Sequence, residues 1–221
     1  MPLVPALPIS ITPRPALSWC ERWVTSRIVN ETPWLDIDCQ FLLDSSAERG
    51  SLAALTGFSA PAWLGWHLPD GYRIRLRDEP DHQFITATRT RTDARFEAVF
   101  AGSAFATAPA YTAVAPSWFR CLVPTGYTSQ QQRLRSVQQF ASNRTRVTDR
   151  ASGNLHHVSL TARNLTKAQF FEFLGWWSEG LKWGQTAFSF SISGVGSSCY
   201  IAGWTAQKRG LFDLDFELRV R

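Results

Sequence analysis

"LFDLDFELRV", residues 211–220, decides the fold class: Phe212, Leu214, Phe216, Leu218 and Val220 alternate with Asp213, Asp215, Glu217 and Arg219. A period of two is that of a strand with one dry face and one wet face. "RFEAVF" at 95–100 carries the same rhythm, with Phe96, Ala98 and Phe100 on one side. Each half of the chain therefore closes on an alternating strand, and the two halves invite comparison.

Set side by side, they repeat in order. Ile37, Cys39 and Phe41 of "LDIDCQF" fall on Val158, Leu160 and Ala162 of "HVSLTA", two alternating triplets. Each is followed by a helix-start signal, Ser45 with Glu48 and Thr166 with Gln169. In such a capping box a hydroxyl and an acid or amide satisfy the first free amides of a helix. Leu52 and Phe173 then occupy the face each short helix would bury. Beyond a short insertion in "TGFSAPAWLGWHLPDG", Tyr72, Ile74 and Leu76 match Phe188, Phe190 and Ile192; Phe84 and Ile85 match Tyr200 and Ile201; Phe96 and Phe100 match Phe212 and Phe216.

This pattern predicts a mainly β chain of two tandem β-sandwich or barrel-like domains, each with one short α-helix. The expected boundaries are an extended N-terminal arm at 1–14, a first β domain at 15–100, an Ala/Pro-rich linker at 101–118 and a second β domain at 119–221. The opening "MPLVPALPISITPRPAL" has five prolines and no basic start, which argues against a signal peptide or a membrane helix. No membrane insertion is expected.

The chain has 221 residues, 44% hydrophobic and 19% charged, the balance of a packed globular protein. Ten Trp and fifteen Phe imply dense packing or a surface built for contact. The net charge of +5 comes without a long Lys or Arg run, so contact with nucleic acid is permitted and not required. Lys167, Lys182 and Lys208 are the only lysines, leaving positive charge mostly to arginine, the residue suited to fixed planar pairing.

Arg73, Arg75 and Arg77 share one face of a predicted strand, and Asp213, Asp215 and Glu217 form an acidic row on the last strand. Rows of opposite sign set register between neighbours, so both are candidate interface residues. Trp63 and Trp66, near the first helix exit, are candidates too; Trp176, Trp177 and Trp183 flank the second. These aromatics suit a core, a ring interface or a stacked sugar. No catalytic, cofactor-binding or metal-binding residues are expected. Cys20, Cys39, Cys121 and Cys199 are scattered, and His156 and His157, adjacent on a strand, point to opposite faces. "GVGSS" at 194–198 joins two predicted strands, which makes it a hairpin turn and not a phosphate loop.

"PTGYTSQQQRLRS", "HHVSLTARNLTKAQFFEFLGWWSEG", "TAFSFSI" and "CYIAGWTAQKRGLFDLDFELRV" cover most of residues 121–221. They resemble, in turn, the early strand pair around a Gly-Tyr-Ser-Gln segment, the strand and capped helix, and the last three strands of the M-type minor tail proteins of long-tailed non-contractile phages. That family is related in architecture to distal tail and tail tube proteins. The first half has no Gly-Tyr-Ser-Gln segment and is linked only through the repeat.

The resemblance implies a non-enzymatic virion protein of the tail tip, assembled in the host cytoplasm, with no cofactor. Its partners would be copies of itself in a ring, the tail tube protein above and tail hub proteins below, with DNA only in passage through the lumen. Two copies of one fold per chain would let a trimer present pseudo-sixfold contacts to a sixfold tube and threefold contacts to a hub. The alternative from another class is a ligand-binding β-sandwich module for carbohydrate, using exposed tryptophans.

Overall fold

A computed structural model describes residues 3–14, 17–20, 25–28, 34–102, 114–139, 145–192 and 195–220. The strands are β1 (Pro5–Pro13), β2 (Leu17–Cys20), β3 (Thr25–Ile28), β4 (Leu35–Leu43), β5 (Tyr72–Leu76) and β6 (Asp81–Phe84). They continue with β7 (Thr90–Phe100), β8 (Pro124–Gln139), β9 (Thr145–Leu165), β10 (Phe188–Ile192), β11 (Val195–Lys208) and β12 (Phe212–Val220). The helices are α1 (Ser46–Ala53), the single turn α2 (Ser117–Arg120) and α3 (Lys167–Gly175).

The main sheet has ten strands in the order β5-β7-β4-β1-β11-β12-β9-β8, with β6 also on β7 and β10 also on β11. Every pairing is antiparallel. β2 and β3 form a separate hairpin. The fold is thus mainly β, as expected, and the sheet is open, not a closed barrel, because β8 and the β5–β6 edge lie at opposite ends of the strand order.

The two halves share this one sheet through β1. Ile9, Ser10 and Ile11 face Lys208, Gln207 and Ala206 of β11, while the other edge of β1 pairs with β4. The expected N-terminal arm is extended, and it is also the strand that joins the halves within the chain. Buried apolar residues from both halves form one continuous cluster. Residues 103–113 of the expected linker lie outside the described residues. Its end is structural: Ala115 is buried, and Phe119 in α2 is fully buried against Trp176, Phe188, Phe190 and Phe216.

Alternation determines the faces. Leu35, Ile37, Cys39, Phe41 and Leu43 of β4 are buried, as are Phe212, Leu214, Phe216 and Leu218 of β12. Both expected helix starts are present. Thr166 and Gln169 make a reciprocal capping box. Ser45 accepts from the Glu48 amide, but Glu48 reaches back one residue further, to the Asp44 amide. Leu52 of α1 and Phe173 of α3 are both fully buried.

In each half the strand before the helix pairs with the half's last strand, β4 with β7 and β9 with β12. Leu43 faces Thr90, the first residue of β7, and Leu165 faces Phe212, the first residue of β12. By this register Phe96 corresponds to Leu218 and not to Phe212 as expected. The slip is an even number of residues, so it leaves every side chain on its own face. β10 also departs from β5: β5 lies on β7, whereas β10 lies on β11.

Candidate functional site: the charged sheet face

The residues between the buried ones, from β5 across to β9, form one polar face. Arg73, Arg75 and Arg77 do share it, and so do Asp213, Asp215 and Glu217 at the other end. The two rows do not meet within the chain: β5 and β12 are five places apart in the sheet, roughly 24 Å at ~4.8 Å per strand. Within each half most of the row is paired: Arg75 and Arg77 meet acids in the first half and Asp213 and Asp215 meet Arg163 in the second, while Arg73 has no acidic partner among the described residues.

In the first half the neutralisation resolves a clash written into the strand register. Asp36 of β4 lies directly opposite Glu97 of β7, and like charges so placed repel. Arg14, just past the end of β1, sits on both: Nη2 donates to Asp36 Oδ1 at 2.8 Å and to Glu97 Oε1 at 2.6 Å. Arg75 faces Glu97 from β5 and donates to Oε2 from both Nε and Nη2, at 3.0 and 2.9 Å. Arg77 completes the cluster with Asp36 at 3.3 Å. Burial pushes the Glu97 carboxyl up, but hydrogen bonds from Arg14 and Arg75 outweigh it and hold the group below its ordinary range.

Aromatic rings fix the arginines in place. The Arg75 guanidinium lies 5.3 Å from the Trp34 ring centroid and 4.8 Å from that of Phe58. Arg14 lies 5.5 Å from Trp34 as well. Cation–π contacts of this kind restrict a side chain that would otherwise sample many rotamers. Further along β4, Asp38 pairs with its cross-strand neighbour Arg95 at 2.7 Å, and Gln40 donates to its neighbour Asp93 at 2.6 Å.

The second half uses hydroxyl and imidazole partners more. Asp215 accepts from Thr161, directly across the ladder, at 2.9 Å. Glu217 meets His157 at 2.8 Å, and Asp213 accepts from the Asn164 amide at 2.9 Å. Arg163 reaches both Asp213 and Asp215, at 3.7 and 3.3 Å. His156 turns to the opposite face and bonds Tyr127, so the histidine pair is divided as the strand period requires.

The tryptophans separate by role. Trp63 is buried between Phe41, Phe96 and His67, which makes it core. Trp66 is 58% exposed, and its carbonyl accepts from Lys208 across the halves at 2.9 Å. Trp176 and Trp177 are buried, and half-buried Trp183 packs edge-on against Trp177. Sequence reasoning missed Arg14, Trp34, Phe58 and Glu97. The missed signal was Glu97 itself, an acid on the polar side of a strand opposite the arginine row.

A cleft of about 420 Å³ opens where β1 and β11 diverge, lined in part by Thr12, Arg14, Trp183 and Gly203. A second, of about 730 Å³, lies over the β1 bulge on the charged face. Among the described residues no group of three or more His, Cys, Asp or Glu is placed to hold a metal ion. Nor is any described helix long and apolar enough to cross a membrane. No protein-family model matches the chain, and no curated protein matches it.

Proposed function

We propose that this chain is a structural component of a phage tail tip, a ring subunit at the distal end of the tail tube. The observation that carries the reading is the single open sheet, continuous through both halves, with one apolar face backed by helices and one polar face on which most arginines are paired with acids. Such a sheet is a segment of wall. The likeness of residues 121–221 to minor tail proteins supplies the biological setting, a virion assembled in the host cytoplasm.

In this reading the polar face lines the lumen. A duplex in passage must not be held, and free arginines would retain it by releasing counterions. The Arg14, Arg75, Arg77, Arg95 and Arg163 side chains all carry acidic partners. Three chains, each supplying two sheet halves of like topology, adapt a sixfold tube above to a threefold hub below. The interface rows Arg73, Arg75, Arg77 and Asp213, Asp215, Glu217 then face the lumen of the assembled ring, with Arg73 the one member of the arginine row that has no acidic partner among the described residues.

The test is an image of the assembled particle with this protein located and its copies counted. Three copies in one ring at the tail tip, charged face inward, is the expected result. Absence from the particle, or a charged face turned outward, overturns the reading.

A further inference from the structure

The seam between the halves specifies how one chain meets the next. β1 lies outside β4 as β8 lies outside β9, and β6 lies outside β7 as the end of β11 lies outside β12. The correspondence extends to residues. Ser10 faces Asp38 and Gly126 faces Ser159, residues equivalent by the β4·β7 and β9·β12 registers. On the other side Gln83 faces Arg91 and Gln207 faces Asp213, again equivalent positions.

Within the chain, the β1 edge is docked on the β11 edge, with Ser10 beside Gln207 and Ile11 beside Ala206. There Ile11 and Ala206 are each only 1% exposed. The equivalent outer edges, β8 and β6, have no strand partner among the described residues. They carry apolar side chains left in water: Tyr127 is 57% exposed on one edge and Phe84 69% on the other. Unpaired edges with exposed apolar groups invite strand addition, and monomeric proteins ordinarily blunt them. The chain does blunt its β5 edge, where Ser59 and Ile74 exchange both backbone hydrogen bonds at 2.8 and 2.7 Å. β6 is not covered in this way.

We propose that a second copy of this chain docks its β8 edge antiparallel on the β6 edge, in the register of the internal seam, placing Gly126 beside Gln83 and Tyr127 beside His82. The contact is head to tail, because the seam joins two unlike edges, and contacts of that kind propagate or close into a ring. This deepens the ring reading and rests on it for the number of copies, but the strand contact stands on topology and exposure.

Variants Gly126→Cys and Gln83→Cys, each in a background with Cys20→Ser and Cys121→Ser in which the remaining Cys39 and Cys199 are buried, test it. Paired strand residues lie within disulfide reach. The two variants mixed at high concentration under mild oxidation should form a mixed disulfide in about tenfold greater yield than either alone, or than Thr128→Cys with Gln83→Cys. Adding Phe84→Glu, with circular dichroism unchanged, should lower that yield about tenfold. No mixed disulfide, or equal yield from either variant alone, overturns the proposal. Register-specific cross-linking by a protein missing from the tail particle would leave the contact standing and remove the ring reading. Presence in the particle without cross-linking would do the reverse.

Discussion

Arg14 and Glu97 meet at 2.6 Å although they are separated by 83 positions in the chain. The bond crosses β4 entirely, so one guanidinium ties the end of β1 to β7 and separates the facing carboxylates of Asp36 and Glu97. Charge compensation on the sheet face is therefore also a device that holds the seam strand to the first half.

Replacing Glu97 by Gln should destabilise the chain by about 1–2 kcal/mol. The carboxylate is buried while its arginine partners are partly exposed, so solvent discounts the full cost of a broken buried pair. Urea denaturation measures it. Charge-conserving Glu97→Asp should lose nearly as much, since the shorter side chain cannot serve both Arg14 and Arg75.

Ile11→Ala should cost roughly 2–4 kcal/mol, the range for truncating a buried aliphatic side chain. Because the halves share one sheet and one core, unfolding should stay a single transition. Amide exchange in β4 and in β12 should accelerate together. Acceleration confined to one half would show that the seam does not couple them.

Phe119→Ala should cost about 3–5 kcal/mol, as for other fully buried aromatics. A residue adjoining a flexible tether would cost little. Thermal unfolding of the variant separates these outcomes.

Burial, with smaller contributions from Lys208 and Lys167, lowers the His67 pKa to about 4. The unfolded chain therefore binds the proton that the folded chain refuses between about pH 6.5 and 4. Stability from this group is fully present above pH 6.5 and is lost as pH falls through that window. His67→Phe should flatten the stability profile between pH 6.5 and 4.

Gly184 and Gly210 both have positive φ, +84° and +120°. A Cβ on Gly184 would lie 3.2 Å from Trp177 Nε1 and 3.3 Å from the Ile201 carbonyl, whereas nothing lies near one on Gly210. Both alanine variants carry the backbone strain of about 1–2 kcal/mol, and Gly184→Ala should lose more through displacement of Trp177. Denaturation midpoints of the two variants compare them.

The amino-acid order did not show β2, β3 or the turn α2, but it was enough to show that β4, β5, β7 and β12 are strands, which residues of β4 and β12 turn inward, and where α1 and α3 begin. These follow from the two-residue period and from hydroxyl caps, interactions settled within a few positions. It also showed the recurrence of a strand, a capped helix and a closing strand in both halves. That the halves share one open sheet through β1, that Phe96 is matched by Leu218 and that Arg14 is the partner of Glu97 came from the folded arrangement. Alternation assigns a face but neither a neighbour nor a register, since any even slip preserves the pattern. The choice is made where distant segments meet, by burying Ile11 and by placing a positive charge between two carboxylates that the ladder forces together.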